Sequence, residues 1–243
     1  MIHSSVVIEN GAKIAQDVVI GPFCHIGKDV TIAEGSRLES NIILKGKIDI
    51  ASKVKIFSFV SMGDDNSEIT VGEKTHIREF SQIGTQDNEN AANNKIIIGA
   101  NNFIMGYVQL QKGVELSDFC ILTNAVRVQE NVTCAERVII GGLSTVEANC
   151  NIGTGVMIGG ASCVETDLPP FTLVEGNKAT VKGLNVVGLR RRLENSEDMD
   201  EIKSVFKRIL GDVVDKELAQ EIANTHKNEY VQRFAAFVAT SNL

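Results

Sequence analysis

Aliphatic side chains recur at every sixth position, without a break, from Ile2 through Ile8, Ile14, Ile20, Ile26, Ile32, Leu38, Leu44, Ile50 and Ile56 to Met62. The same period resumes at Val71, Ile77 and Ile83, and runs again from Ile98 through Ile104, Leu110, Leu116, Leu122, Val128, Cys134, Ile140, Val146, Ile152 and Ile158 to Val164. A second column stands two residues before each of these, with Val6, Ala12, Val18, Cys24, Val30 and later Val108, Val114, Cys120, Val126, Val132 and Val138. Six is neither the α-helical period nor plain strand alternation, so the pattern demands a geometry of its own. Each hexad supplies one short strand and one corner, both columns face inward, and three hexads close a triangular coil of 18 residues. The repeat therefore predicts a parallel β-helix over residues 1–170, of about eight to nine coils. At the usual strand separation the prism is roughly 40 Å long. Gly21, Gly27, Gly99, Gly141, Gly153 and Gly159 each follow an inward aliphatic residue, where a tight backbone corner is expected.

Two breaks in phase mark insertions. The polar stretches GDDNSEIT and GTQDNENAANNK interrupt the period, which places loops near 63–70 and 84–97 and requires them to leave the prism. After Leu168-Pro169-Pro170-Phe171 the six-residue period stops, and residues 171–194 form a connecting segment. From Asn195 the spacing becomes helical: Asn195 suits an N-cap, Asp198 the first turn, and Met199, Ile202, Phe206, Ile209 and Leu210 make an apolar stripe that Gly211 ends. Apolar positions at Val214, Leu218 and Ile222, then at Tyr230, Phe234, Phe237 and Val238, predict two more helices. Residues 195–243 thus read as a small α-helical domain.

A net charge of −7 with no basic run argues against nucleic acid as a partner, since phosphate neutralisation needs a basic face. No stretch approaches the roughly 20 apolar residues of a membrane span, and the N-terminus lacks a signal pattern, which predicts a cytoplasmic protein. The five cysteines have no C-x-x-C pair or metal-ligand spacing. Cys24, Cys120 and Cys150 share the inward phase of the repeat and read as small buried hydrophobes, so no metal site and no cofactor is expected.

The hexapeptide prism, the Pro169-Pro170-Phe171 turn, GNKA at 176–179, GLNVVGLRRR at 183–192 and the helical C-terminus together resemble the UDP-N-acetylglucosamine O-acyltransferase family, which begins lipid A synthesis. The hexads alone resemble many acyltransferases; the stretch from 168 to 192 is the more specific. The resemblance implies a left-handed β-helix and a homotrimer with sites between neighbouring prisms. It also implies transfer of a 3-hydroxyacyl chain from acyl carrier protein to the 3-hydroxyl of a UDP-sugar. In that family a histidine of an H-x-x-H segment acts as general base.

Matched to that segment, this chain reads Gln109-Leu110-Gln111-Lys112, with Gln109 on the first histidine and Lys112 on the catalytic one. Asn131 and Glu147 stand at two further histidine positions of the cleft. A general base contributes about 10² to 10⁴ in rate, and a lysine with its ordinary pKa of about 10.4 is protonated at neutral pH. One coil on from Lys112 lies Glu130, which predicts a ladder ion pair; a lysine base, lowered by burial, is the competing reading. Of the four histidines, His25 and His76 precede inward residues and should point outward, and His226 belongs to the tail. His76, between the two insertions, is the candidate substitute base, with Glu115 and Glu130 as further candidates. The shortened first insertion offers Asp64 or Asp65 where the family has an aspartate that helps to hold the sugar nucleotide, and Gly84-Thr85 follows Ile83 where the family continues His-Arg-Gly-Thr. Asn185, Arg191 and Arg192 match the family's nucleotide-contacting positions, and the arginine fork suits a diphosphate. The competing reading is that these arginines anchor the helical domain to an acidic prism.

Three functions remain open from sequence. One is a divergent member that has lost the standard reaction but still binds nucleotide sugar, acyl carrier or partner. The second is an acyltransferase with a different base, and the third a trimeric scaffold or a subunit of a mixed trimer with a histidine-bearing paralogue.

Overall fold

In the computed structural model, which describes residues 1–84, 95–193, 195–211 and 213–243, the hexads build a left-handed parallel β-helix. Its three faces are numbered in chain order. Face I begins with Val7–Ile8, face II with Lys13–Ile14 and face III with Val19–Ile20; among the described residues they hold nine, eight and ten strands. Each strand is short because only its last residue, with the one two places earlier, can point into a prism this narrow. Registers step by one coil, as in Val7↔His25↔Ile43 on face I and Ile121↔Ile139↔Met157 on face III.

The inward aliphatic positions from Ile20 to Val164 are buried as the repeat predicts, and Cys24, Cys120 and Cys150 lie among them. At the N-terminal end two residues keep the inward register, Ile2 beside Ile20 and Ile8 beside Ile26, without being buried. Ile2 and Ile8 are exposed, because the first coil is covered by a neighbour on one side only. Buried polar side chains at the corners are satisfied by backbone: the Asn102 amide donates to the Gly99 carbonyl at 2.9 Å and accepts from the Cys120 N–H at 2.6 Å.

Gly21, Gly27, Gly99, Gly141, Gly153 and Gly159 stand at the corners as expected, and there they permit close approach of the next coil rather than supply left-handed backbone. A Cβ on Gly21 would lie 2.5 Å from the Glu39 carbonyl oxygen. Positive φ falls two residues later and is often taken by bulky residues. At the corner between faces III and I it belongs to Phe23, Asn41, Phe59, Phe80, Tyr107, Ala125, Leu143 and Ala161. Each non-glycine residue there costs about 1 kcal/mol or more.

The insertions are also narrower than the phase breaks suggested. Residues 63–67 form the first turn, and Glu68–Val71 is already a strand of face II, paired with Lys47–Ile50 and Lys95–Ile98. Most of the second insertion lies outside the described residues. The segment after the prism carries two strands, Thr172–Glu175 and Thr180–Leu184, which extend face III.

Among the described residues four helices follow: α1 (Val186–Arg190), α2 (Ser196–Ile209), α3 (Lys216–Thr225) and α4 (Glu229–Thr240). Asn195 caps α2 by accepting from the Asp198 N–H, and Asp215 and Asn228 cap α3 and α4. The apolar stripes of α2, α3 and α4 share a core with Phe171 and Leu189. Asp167, nearly buried, ties the tail to the prism by accepting from the Asn151 N–H at 2.7 Å and the Asn242 N–H at 2.8 Å.

Replacing Gly21 with alanine is expected to lower unfolding free energy by about 1–3 kcal/mol, since rigid backbone faces the new methyl group. A urea titration of G21A beside the parent protein reads the difference.

Candidate functional site

Lys112 follows the face I strand Gln109–Leu110 and stands at the corner between faces I and II. Its side chain is buried, and its ammonium nitrogen lies 2.8 Å from Oδ2 of Asp64. The sequence reading paired Lys112 with Glu130, one coil on; the salt bridge instead runs back toward the first insertion. The register Ser61↔Gln82↔Gln109 puts Asp64 two strands from Lys112, a span the four-carbon stem covers. Asp64 is ready to receive it. Its Oδ1 accepts from the Asn66 N–H at 3.0 Å and the Ser67 hydroxyl at 2.8 Å, while Ser67 Oγ accepts from the Asp64 N–H at 3.0 Å. Burial pushes the Asp64 carboxyl up, but the hydrogen bonds from Lys112, Ser67 and Asn66 outweigh it and hold the group below its ordinary value.

This geometry bears directly on proton transfer. A lysine ammonium has three donors and no acceptor, so while it is clamped on a carboxylate it has no lone pair for a substrate hydroxyl. The turn that carries the Asp64 carboxylate is fixed by the same contact.

The other replaced positions line the same edge of the prism. Gln109 points outward on face I within a polar ladder: its amide donates to Gln82 Oε1 at 3.4 Å, and its Oε1 accepts from Arg127 Nε at 2.9 Å. Asn131 is an exposed corner residue with positive φ, one coil beyond Gly113, and donates to Asn149 Oδ1 at 3.2 Å. Glu147 is half-buried beside Cys163, whose thiol is raised by burial first and by Glu147 next. Glu115 stands exposed on face II between Ile97 and Thr133.

The structure does not bring His76 to this edge within one chain. His76 is half-buried on face III, its ring 6.0 Å from that of Phe103, and its pKa is lowered by burial, then by Lys55 and Arg78. Below it in the fold, face III carries an outward apolar column of Phe103, Ile121, Ile139, Met157 and Leu173, each half-buried. Nothing in the sequence reading singled out that column, although outward aliphatics one residue before the inward series were a visible signal.

The three nucleotide candidates gather at a third place, the corner between faces II and III. Asn185 caps α1; its Oδ1 accepts from the Gly188 N–H at 2.9 Å and its amide donates to the Gly155 carbonyl at 3.0 Å, so both ends of the side chain serve the fold. Arg191 and Arg192 line a cavity of about 370 Å³ together with Arg137, Arg233, Glu136 and Tyr230. Glu136 is paired with Arg233 at 2.9 Å, and Arg137 lies over the Phe119 ring. Arg192 is half-buried against Gly155 and has no carboxylate partner among the described residues. Burial and the neighbouring Arg137 lower its pKa. Four arginines against two glutamates, Glu136 and Glu229, leave the cavity lining net positive, which favours an anion. Arg137 and Arg233 were missed by sequence because they come from the repeat and from α4. Among the described residues no group of three or more His, Cys, Asp or Glu side chains could hold a metal ion, and no helix is long and apolar enough to cross a membrane.

Removing either member of the Asp64–Lys112 pair strands the other, at an expected cost of about 1–3 kcal/mol because Asp64 retains some solvent contact. A depressed carboxylate pKa adds stability above the ordinary aspartate value of about 3.9, and that stability is lost as pH falls through the lower folded value. The gap between the parent and D64N in denaturant titrations is therefore expected to be full at pH 7 and to close below about pH 4.

Comparison with known proteins bears on this arrangement. Residues 167–243 match the family model described as UDP N-acetylglucosamine O-acyltransferase, domain 2, and residues 2–41 match the bacterial transferase hexapeptide model. The acyl-[acyl-carrier-protein]–UDP-N-acetylglucosamine O-acyltransferase of Aliarcobacter butzleri is 38% identical, over 98% of this chain and 94% of its own. That of Sulfurovum is 33% identical, over 99% and 95%. Among solved structures, the UDP-N-acetylglucosamine acyltransferase from Campylobacter jejuni superposes with a TM-score of 0.93 at 29% identity, covering 100% of this chain and 97% of that one. With relatives 38% and 33% identical over nearly its whole length, the chain belongs to the UDP-N-acetylglucosamine O-acyltransferase family.

Proposed function

We propose that this chain is a divergent member in which standard acyl transfer is lost or altered, while its cleft still receives a nucleotide sugar, an acyl carrier or a partner protein. The observation that carries this reading is the Lys112 ammonium held 2.8 Å from the Asp64 carboxylate, at the position where the resemblance puts the general base. Gln109 cannot take over, because a carboxamide has no basic nitrogen. The binding half of the reading rests on different residues. The cavity of Arg137, Arg191 and Arg192 fits a diphosphate, whose oxygens accept paired hydrogen bonds from planar guanidinium groups. The apolar column on face III fits an acyl chain. In this reading the protein works in the cytoplasm without a cofactor, as a homotrimer with its clefts between chains, and it descends from the lipid A pathway.

A second reading keeps the enzyme and changes the base. The observation in its favour is His76, whose lowered pKa leaves a neutral imidazole able to accept a proton at pH 7. A third is a mixed trimer with a histidine-bearing paralogue. The scatter of candidate residues over three edges of one chain favours it, since each chain then supplies only part of any site.

The discriminating experiment is a mass-spectrometric transfer assay with 3-hydroxyacyl carrier proteins of several chain lengths and UDP-N-acetylglucosamine, run beside a histidine-bearing relative. The proposal expects turnover at least about 10²-fold below the relative. It also expects UDP-N-acetylglucosamine binding by calorimetry that weakens at least tenfold in R191A/R192A. Turnover equal to the relative overturns the proposal, and turnover abolished by H76A alone establishes the second reading.

A further inference from the structure

Two rungs of the corner between faces II and III hold side chains that folding of the chain does not call for. The earlier rungs of that corner carry Gly35, Lys53, Lys74 and Asn101; the next two carry Phe119 and Arg137, each at a φ of 60°. Phe119 is 42% exposed, so its ring adds little to the core, while the left-handed backbone is unfavourable for a bulky residue. The Arg137 guanidinium lies over the Phe119 ring, 4.6 Å from its centroid. One coil further on, Gly155 leaves its rung empty and Arg192 fills it from the connecting segment: a Cβ on Gly155 would fall on the Arg192 guanidinium. Three planar groups, those of Phe119, Arg137 and Arg192, thus occupy successive rungs, set one strand spacing of roughly 4.8 Å apart.

Their order divides the stack into two halves. Arg137 and Arg192 line the cavity of about 370 Å³ that Arg191 and Arg233 complete, and Phe119 stands just beyond that lining. One face of the Phe119 ring is taken by Arg137. The rung on its other side is Asn101, whose side chain is too short to cover a ring. The neighbouring acids are already engaged, Asp118 accepting from the Ala100 N–H at 2.7 Å and Glu136 from Arg233 at 2.9 Å. A ligand that uses both halves carries an anionic group on the arginines and a planar ring against Phe119, one to two coils away. A nucleoside diphosphate has both, joined by a sugar that covers the gap.

We infer that Phe119 is a stacking platform for the base of a nucleoside diphosphate whose phosphates lie on Arg137, Arg191 and Arg192, and that the base is held by its face rather than read at its edge. The inference rests on the binding half of the reading given above and adds to it a residue and a selectivity. Every base has a π face, so an aromatic platform accepts purines and pyrimidines alike. Arg137 serves both halves: the ring orients its guanidinium, and its N–H donors remain for phosphate. Inorganic pyrophosphate, which has no ring, uses the arginines alone.

The test separates the two halves. Calorimetry on the full chain with UDP, ADP and inorganic pyrophosphate is expected to show both nucleotides binding about 5- to 150-fold more tightly than pyrophosphate. Phe119→Ala is expected to bring both nucleotides down to the pyrophosphate level and to leave pyrophosphate unchanged. Other corners already hold Ala125 and Ala161 at the same φ, so the backbone accepts the substitution. Arg191→Ala/Arg192→Ala is expected to weaken all three ligands. The chain has no tryptophan, so Phe119→Trp puts a single indole on the platform, whose fluorescence UDP and ADP are expected to quench and pyrophosphate to leave alone. Nucleotide binding that falls in Arg191→Ala/Arg192→Ala but not in Phe119→Ala, or binding of UDP with ADP excluded, overturns the platform and leaves the arginine site standing. Absence of both nucleotide and pyrophosphate binding overturns the two together.

Discussion

Everything in this molecule hangs on the stacking of one coil on the next through backbone hydrogen bonds, as in His25 N–H to Ile42 O at 2.8 Å and Ile121 N–H to Val138 O at 2.9 Å. Each coil offers a full set of donors and acceptors along the axis and can satisfy them only against another coil. The inward aliphatics meet in the same stroke, since they superimpose wherever the backbones do. Such a scaffold is rigid along its length and holds any corner residue at a defined height and on a defined edge. Function then becomes a matter of which edge a side chain occupies.

At the I/II edge the occupant changes the chemistry. Where the resemblance places a histidine, able to lose and take a proton near neutral pH, this chain places a buried ammonium and gives it a carboxylate two strands away. The pair also settles the first insertion, because Asp64, Asn66 and Ser67 form one hydrogen-bonded turn around the carboxylate. Lys112 is thereby part of the support of a loop. At the arginine edge, Arg192 presents a half-buried guanidinium to a cavity.

The sequence reading found the repeat because a period of six in buried aliphatics has only one compact solution. It found the tail helices because capping residues and apolar stripes are local signals. It misjudged contacts that depend on reach and direction. Glu130 was chosen for Lys112 on spacing alone, whereas the lysine stem runs the other way to a turn that had already ordered Asp64. Glycines were assigned to tight corners, and the reason they stand there is tertiary: neighbouring backbone leaves no room for a Cβ, while the left-handed φ falls two residues later. The structural duty of Asn185 was also not foreseen: its side chain caps α1 and donates to the Gly155 carbonyl.

What the chain determined by itself is the prism, the positions of its interruptions and the helical character of its tail. Each of these follows from residue type and period, which act over a few neighbours. What only the tertiary structure decided is the pairing of Lys112 with Asp64, the gathering of Arg137 and Arg233 beside Arg192, and the division of candidate residues among three edges. Those depend on how far apart in space residues fall when distant parts of the chain are wound to the same height, and no spacing along the chain contains that distance.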